Sequence, residues 1–507
     1  MLEAGRFSGL FVTALFAWYI MFGGRRATVS YQGRLREWKQ EYGAAAARLG
    51  RAPRPGAAAS LPRWHPGAGG RFRRDSLAPR ASARLPGGAA MIEWSESHRM
   101  IRETVRKFVE AEIRPHLEEL EHGDTPPYEI LRKLFRTFGM DEMARQRFRH
   151  QIEKDRRAEE ARARGESVPK EEKKPRGDGG DSAAMQLIPI IELCRFCPGM
   201  VTAMGVSVGL TAASIMGKGS VAQKERWALP LLTLEKVGAW AITEPGSGSD
   251  AFGGMRASAR RDGDGYLLNG NKTFITNGPY ADTIVFICKL DEPGVEPKDR
   301  KILHFVLDRG MPGLVQSKAM RKMGLHSSPT GELFLTDVRA GRDRLLGESE
   351  DRAAAAGKSG AKDTFSMERS GVAAMSLGII ERCLELSIDY AKTRVAWGQP
   401  IGEYQLIQLK LAKMEVARMN VQNMVFRHIE SVAAGKSMSF AEASAMKLYS
   451  AQAAMEVALE AVQLFGGNGY MAEYQVEQLA RDAKVLQIYA GTDEMQVRAI
   501  ARSLLSA

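Results

Sequence analysis

The spacing of apolar residues changes twice along this chain, and these changes most constrain the fold that it can adopt. From Met91 onward, apolar residues such as Trp94 and Ile101 recur at helical spacing. Residues 239–345 instead hold short apolar or alternating runs separated by turn sequences rich in Gly, Asn and Asp, which is typical of strands. A helical stripe returns after residue 364. The order predicts a mainly α fold with a central β-domain.

Composition shifts divide the chain further. Residues 145–180 are rich in both positive and negative charge, which indicates a solvated insertion or a mobile charged helix. The predicted segments are a basic tail at 1–90, an N-terminal helical domain at 91–238 that contains the insertion, a β-domain at 239–348, a linker at 349–363 and a C-terminal helical domain at 364–507.

The positive charge is confined to the tail. The formal net charge is +12, and residues 1–90 carry +11 of it. The remainder is therefore nearly neutral, which argues against a nucleic-acid-binding core and predicts no nucleic-acid partner.

Residues 1–90 leave three interpretations open. Residues 7–24 are uncharged and apolar but short for a membrane span, and residues 25–90 lack hydrophobic periodicity and are predicted to be disordered. The protein could start at Met91, the tail could hold one membrane anchor with the body on the cytoplasmic side, or it could be a transit peptide. Any membrane contact is expected only through these residues.

Cysteine and histidine usage indicates neither a disulfide framework nor a metal site. Only four cysteines occur, and Cys194 and Cys197, which form an isolated CxxC, are interpreted as core thiols. None of the eight histidines has the i, i+4 partner of a helical zinc site, so no metal ligand is predicted.

Five motifs combine small residues with polar groups at predicted breaks between elements. Each has an ordinary interpretation as a turn, a half-buried strand or a helix end. Together they are more informative, because glycine and serine let backbone N–H groups approach a polyanion or a flavin closely. The motifs are AITEPGSGSDA (241–251), NKTFITNGPYAD (271–282), TRVAWGQPIGEYQ (393–405), QLFGGNGYMAEY (463–474) and RDAKVLQIYAGTDEMQ (481–496).

These motifs, in this order, resemble those of the acyl-CoA dehydrogenase family from Met91 to the C-terminus, apart from the insertion and the lengthened linker. The third motif departs from the family pattern at Trp397, where phenylalanine is usual. The resemblance implies N-terminal helices, a β-barrel-like middle domain and a C-terminal four-helix bundle. It also implies one FAD per subunit and a homo-oligomer, a dimer or tetramer, in which a neighbour completes the FAD site.

The resemblance also assigns site residues. Thr243 and Thr276 would hydrogen-bond the flavin ring, Phe274 would pack against it, and Ser249 would lie where flavin and CoA thioester meet. The residues that would hold the remainder of FAD, partly across the subunit interface, are Arg394, Gln405, Gln463, Gly466, Gly467, Thr492 and Glu494. Arg369, Ala490 and Gly491 would contribute to substrate binding, with the backbone N–H at position 490 facing the thioester oxygen.

The catalytic base is displaced from its commonest position. Many members carry a glutamate in YEGT, whereas this chain reads Tyr489-Ala490-Gly491-Thr492. The family's second position lies on the helix after the β-domain, where Glu368 precedes Arg369 in an arrangement similar to isovaleryl- and long-chain-type members. An ordinary interpretation of Glu368 is a carboxylate that complements a helix dipole, but the empty position 490 favours catalysis.

The resulting expectation is an FAD-dependent enzyme that converts an acyl-CoA to a trans-2-enoyl-CoA and passes electrons to an electron-transferring flavoprotein. Two alternatives stay open: a family member without desaturase activity that has an acyl-CoA-binding or assembly role, and a flavoprotein of the DNA-alkylation response. A cytoplasmic location is expected, with the inner face of a membrane through residues 7–24, or the mitochondrial matrix, as alternatives.

Overall fold

The computed structural model describes residues 93–165 and 179–506. The basic tail, with the candidate anchor at 7–24, and the centre of the insertion at 166–178 therefore lie outside the described residues. All described residues belong to one compact unit.

The N-terminal domain is helical, as its apolar spacing predicts. Its first helix starts at Ser95, whose hydroxyl accepts a hydrogen bond from the His98 N–H and so satisfies one free donor of the first turn. The helices are α1 (Glu96–Phe108), α2 (Leu117–His122), α3 (Tyr128–Thr137), α4 (Met140–Ala163), α5 (Gly179–Cys194), α6 (Pro198–Met204), α7 (Ala213–Lys218), α8 (Val221–Gln223) and α9 (Leu229–Leu232). Segments of π-helix (Val109–Ile113, Gly205–Ala212, Lys224–Ala228) and one 3-10 turn (Arg114–His116) connect several of them.

The middle domain is a seven-stranded sheet. Its strands are β1 (Gly238–Ala241), β2 (Ser258–Asp262), β3 (Gly265–Thr276), β4 (Thr283–Leu290), β5 (Ile302–Asp308), β6 (Leu314–Gln316) and β7 (Thr330–Ala340). The strand order is β1-β4-β2-β3-β7-β6, with β5 paired to β4. Strand β4 is parallel to β1 and β2, whereas the other pairings are antiparallel. Every residue of β4 is buried, which accounts for its continuous apolar sequence.

The C-terminal domain is a helical bundle. The helices are α10 (Glu350–Thr393), α11 (Gln405–Ala433), α12 (Phe440–Phe465), α13 (Val476–Leu486) and α14 (Asp493–Leu505). A two-stranded hairpin, β8 (Val395–Ala396) with β9 (Gln399–Pro400), separates α10 from α11. Short 3-10 turns lie at Arg342–Arg344, Ile401–Glu403 and Gly466–Tyr470.

Two predicted segments differ from the structure. Residues 349–363 were expected to form a linker, but α10 begins at Glu350 and runs through this stretch. The alanine-rich sequence favours a helix, and the helix continues into the bundle despite its glycines. The first half of the insertion is the end of α4, and it packs on the protein: Phe148 and Ile152 are buried in the core, and Lys224 contacts Asp155 at 2.8 Å.

A buried ion-pair cluster joins the first and last domains. Arg102 on α1 donates to Glu192 on α5 at 2.5 Å and also contacts Glu381 on α10. Arg195 contacts Glu381 at 3.4 Å, and the Glu192 side chain is fully buried. Because each charge has an opposite partner, the cluster holds α10 against the N-terminal helices without leaving an unpaired buried charge.

Candidate active site

A single cleft of about 3340 Å³ is lined by residues of all three domains. Typical small-molecule sites occupy about 300–1,000 Å³, so this cleft has room for more than one large ligand. Nine of the predicted site residues line it: Thr243, Ser249, Phe274, Thr276, Glu368, Arg369, Ala490, Gly491 and Thr492. The chain thus brings residues almost 250 positions apart to one place.

The loop that carries Thr243 and Ser249 is fixed by a buried ion pair. Lys272 on β3 is fully buried, and its Nζ donates to Glu244 Oε1 and to the Ile242 carbonyl oxygen, each at 2.9 Å. Glu244 also accepts hydrogen bonds from the N–H groups of Arg256 and Ala257. The Glu244 carboxylate therefore accepts hydrogen bonds from three donors. Through Lys272 it ties the loop that carries Thr243 and Ser249 to strand β3, which leads to Phe274.

Phe274 projects into the cleft from an irregular part of β3. The register between β3 and β7 shifts between Lys272 and Ile275, and Phe274 has a φ of 56°. A bulge changes the direction of a side chain, and here the aromatic ring is 66% exposed. Thr276, two residues on, also lines the cleft.

Glu368 lies half-buried in the same cleft, on α10. Loss of solvent around its carboxylate raises its pKa to about 7, and the nearby charges of Arg369 and Lys447 oppose this rise. Arg369 is buried; it donates to Ser444 Oγ at 2.8 Å and stacks over the Phe440 ring. A carboxylate with a pKa near neutrality is suited to accept a proton at physiological pH.

The loop at 490–491 faces this region and has an unusual backbone. Ala490 and Gly491 have φ values of 54° and 87°. The side chain of Gln496, which is fully buried, donates from Nε2 to the carbonyl oxygens of both residues, at 3.1 Å and 2.7 Å. A Cβ at position 491 would lie 2.8 Å from Nε2 of Gln496 and 3.9 Å from Arg369 Nη2, so glycine is required there.

The other predicted cofactor residues lie elsewhere in the subunit. Arg394, Gly466 and Gly467 line a second pocket of about 320 Å³ beside Tyr390 and Asn468. Gln405, Gln463 and Glu494 line neither this pocket nor the cleft, and all three are exposed. Within one subunit, some of the predicted cofactor residues therefore line the cleft and the others lie away from it.

Sequence reasoning missed several residues that shape the cleft. Gln496 and Lys272 act through hydrogen bonds to distant backbone groups, which no local pattern predicts. Arg147 and Phe148 of α4 line the cleft although the charged insertion at 145–180 was expected to be solvated. The apolar residues at 143, 148 and 152 could have indicated that this helix packs on the protein.

The residues present fit a flavin nucleotide. The cleft offers hydroxyl groups at Thr243, Ser249 and Thr276 beside an exposed aromatic ring, a donor set suited to a planar heterocycle with polar edges. In the adjoining loop, a Cβ at Gly246 or Gly248 would meet no atom within 4 Å, so the backbone there is open to a ligand.

Comparison with known proteins identifies the family. Sequence models of the acyl-CoA dehydrogenase N-terminal, middle and C-terminal domains match residues 95–143, 239–338 and 356–505. The chain is 36% identical over 329 residues to a short-chain-specific acyl-CoA dehydrogenase of Megasphaera elsdenii, which covers 65% of this chain and 84% of that protein. It is 33% identical to a 3-(aryl)acrylate reductase of Clostridium sporogenes, over 81% of this chain and 99% of that one.

The structural comparison agrees with this result. The crystal structure of an acyl-CoA dehydrogenase from Geobacillus kaustophilus superposes with a TM-score of 0.69 at 32% identity, and the match covers 82% of this chain and all of that one. The chain belongs to the acyl-CoA dehydrogenase family and is an oxidoreductase of that class. The predicted fold class, helices around a central sheet, is confirmed.

Proposed function

We propose that this protein catalyses FAD-dependent α,β-dehydrogenation of an acyl-CoA thioester to the trans-2-enoyl-CoA, with Glu368 as the base. The observation that carries the proposal is the half-buried Glu368 carboxylate, with its pKa near 7, in the cleft that also holds the 490–491 loop. Position 490, where many relatives have the base, is alanine and cannot accept a proton.

Glu368 removes the pro-R α-proton of the bound thioester. The proton passes to a carboxylate oxygen, and the electron pair of the broken C–H bond forms the new Cα–Cβ double bond as the β-hydrogen leaves as hydride. An α-proton of a thioester is only weakly acidic, so the base needs the raised pKa that desolvation gives it.

The 490–491 loop stabilises the negative charge that develops on the thioester oxygen. Ala490 and Gly491 both have positive φ, and Gln496 holds their carbonyl oxygens by hydrogen bonds. In our proposal the Ala490 N–H donates to the substrate oxygen.

FAD, when bound, supplies the acceptor for the hydride. Thr243, Ser249, Phe274 and Thr276 would orient its ring, and Thr492, which lines the same cleft, would contribute to the site. The residues that would hold the diphosphate and adenosine, partly for a neighbouring subunit, are Arg394, Gln405, Gln463, Gly466, Gly467 and Glu494. The separation of Arg394 and Gly467 from the cleft supports this division between subunits.

Exposed apolar residues support a homo-oligomer, a dimer or a tetramer. Leu406 and Leu409 on α11 are 76% and 52% exposed, and Trp397 in the preceding hairpin is 91% exposed. Monomeric proteins rarely leave such residues clustered in solvent. Electrons pass onward to an electron-transferring flavoprotein, and we place the enzyme in the cytoplasm, with the inner face of a membrane and the mitochondrial matrix as alternatives.

Anaerobic titration of the holoenzyme with acyl-CoAs tests the proposal. Wild type should lose flavin absorbance, whereas Glu368→Gln should keep bound FAD and acyl-CoA affinity but reduce its flavin about 10²–10⁴-fold more slowly. Glu456→Gln, which changes an exposed glutamate on α12 outside the cleft, is the matched control and should behave as wild type. Equal rates in wild type and Glu368→Gln would remove Glu368 from the mechanism.

The alternative without desaturase activity is motivated by Ala490. It predicts that no acyl-CoA bleaches the flavin of the wild-type protein although acyl-CoA binds. The DNA-alkylation-response alternative predicts that a chain beginning at Met91 binds duplex DNA at physiological salt.

A further inference from the structure

The lining of the cleft is chemically divided between its two sides. The side formed by the C-terminal helices carries the cations Arg481, Lys484, Arg498 and Arg502. On the side formed by the N-terminal helices, most of the described lining residues are apolar, and the polar ones are Arg147, His150, Gln151, Gln186 and Thr202. A CoA thioester is a polyanion at one end and apolar at the other, so charge and polarity orient it with its acyl chain toward the N-terminal helices.

One wall of this apolar side is α4, which extends beyond the part of the chain that matches the family's N-terminal domain. That match ends at residue 143, whereas α4 continues to Ala163. Met140, Ala144, Arg147 and Gln151 recur at helical spacing along the cleft.

This wall is fixed in place. Phe148 and Ile152 on α4 are 7% and 5% exposed and belong to the same core cluster as Trp227. Lys224 contacts Asp155 at 2.8 Å, and both side chains are largely buried. Such packing gives α4 a defined position, which a specificity-determining wall needs.

The continuous helix Pro198–Lys218, formed by α6, the π-helix and α7, also lines the cleft. This helix is apolar, yet only 44% of its most apolar window is buried inside the protein. Met204, Val208 and Leu210 are partly exposed, and all three line the cleft. Gly209 also lines it, and a Cβ there would meet no atom within 4 Å.

We propose that the space between α4 and the helix Pro198–Lys218, called the acyl channel below, holds the acyl chain of the substrate and that α4 makes the enzyme selective for long acyl chains. The inference rests on the proposed function. From Met140 to Gln151, α4 lines about 16 Å of the channel at ~1.5 Å per residue. Each C–C bond advances an extended chain by less than ~1.5 Å, so a saturated chain that follows this wall has more than about ten carbons.

A pair of glycine substitutions on one helix tests the channel. Gly209→Leu adds a side chain inside it, whereas Gly217→Leu adds the same side chain to the same continuous helix at a position that is equally open but does not line the cleft. The holoenzymes are compared by flavin reduction with butyryl-CoA and palmitoyl-CoA. Gly209→Leu should lower kcat/KM for palmitoyl-CoA about 10–200-fold, the range expected for steric discrimination of apolar groups. The loss of kcat/KM for butyryl-CoA should be clearly smaller than that for palmitoyl-CoA, and Gly217→Leu should change neither.

A second pair tests the α4 wall and guards against misfolding. Ala144→Leu narrows the channel from α4, and Ala158→Leu makes the same change on α4 outside the cleft. Binding of 2,2-dimethylpalmitoyl-CoA, which has no α-proton, is measured by calorimetry together with FAD content. Ala144→Leu should weaken this binding about tenfold while retaining FAD, and Ala158→Leu should not.

The outcomes separate the two proposals. If no acyl-CoA reduces wild-type flavin, the proposed function fails. If wild type is reduced by butyryl-CoA but gains nothing from longer chains, if Gly209→Leu affects both chain lengths equally, or if Ala144→Leu and Ala158→Leu bind 2,2-dimethylpalmitoyl-CoA equally well, the function stands and the acyl channel is wrong.

Discussion

The amide nitrogen of Gln496 lies 2.7 Å from the carbonyl oxygen of Gly491 and donates to it from a fully buried position. The same nitrogen donates to the Ala490 carbonyl at 3.1 Å. One side chain therefore holds two consecutive residues at positive φ. For an alanine this conformation is sterically strained and costs free energy. The geometry of the 490–491 loop depends on a residue that does not itself line the cleft.

Gln496→Glu should disturb this loop, because the substitution replaces the donor with an acceptor of the same size facing two carbonyl oxygens. We expect kcat for flavin reduction to fall about 10²-fold, as for loss of one oxyanion donor, with a smaller change in KM. Isotope-edited infrared spectroscopy of a bound ¹³C-thioester should show a C=O stretch closer to its value in water. Gln487→Glu, a neighbouring substitution without contact to the loop carbonyls, is the control; an unshifted C=O stretch in Gln496→Glu would contradict the positioning role.

The rate of flavin reduction should follow the ionisation of Glu368. Desolvation raises its pKa to about 7, and the ionised form is the base, so the rate should rise about tenfold per pH unit below this value and level off above it. Stopped-flow reduction between pH 5 and pH 9 measures the profile. Lys447→Met removes a charge that lowers the Glu368 pKa, and its profile should shift to higher pH; a flat profile in wild type would exclude Glu368 as the titrating base.

Moving the base to position 490 tests whether a carboxylate at the commonest family position can replace Glu368. In a Glu368→Gln background, Ala490→Glu places a carboxylate in the loop that faces the same cleft, and we expect partial recovery of flavin reduction. Ala490→Gln in the same background has the size of glutamate without its basicity and should recover nothing. Equal activity in both double variants would show that the carboxylate is not the cause.

Lys272→Met should destabilise the middle domain. The change leaves Glu244 buried without its cation, and breaking a buried pair costs about 3–5 kcal/mol. Thermal unfolding of the holoenzyme should report a lower Tm, and FAD should be lost more readily because the Thr243–Ser249 loop is no longer tied to β3. Lys301→Met, which breaks an exposed pair with Asp351, should change the Tm little, because solvent screens such a pair; an equal effect of both variants would argue against the anchoring role of Lys272.

A chain that begins at Met91 should fold and bind FAD, because nearly all the excess charge lies in residues 1–90 and the family match begins at residue 95. Expression, FAD content and membrane partitioning of this chain and of the full-length protein are the measurements. If only the full-length protein partitions into membranes, residues 1–90 contain an anchor; if the shorter chain is recovered only without FAD or aggregated, the tail belongs to the fold.

Local pattern predicted the elements better than it predicted their packing. The change from helical spacing to alternating runs and back predicted helices, then strands, then helices, which is the order of elements in the structure, because period follows from element geometry. Seven of the predicted site residues in the glycine and threonine motifs line one cleft, and Glu368 and Arg369, which lie outside those motifs, line it as well.

Two features were missed. The α10 helix begins at Glu350 and runs through the segment that was expected to be a linker. The charges on α4 concealed Phe148 and Ile152, which are buried in a core cluster whose other members lie 60 or more positions away along the chain.

The separation of Arg394 and Gly467 from the cleft has a thermodynamic consequence. If each FAD spans two subunits, cofactor affinity and subunit association are linked equilibria, and each strengthens the other by mass action. Dilution alone would then release flavin from the wild-type enzyme, and added flavin would drive reassociation.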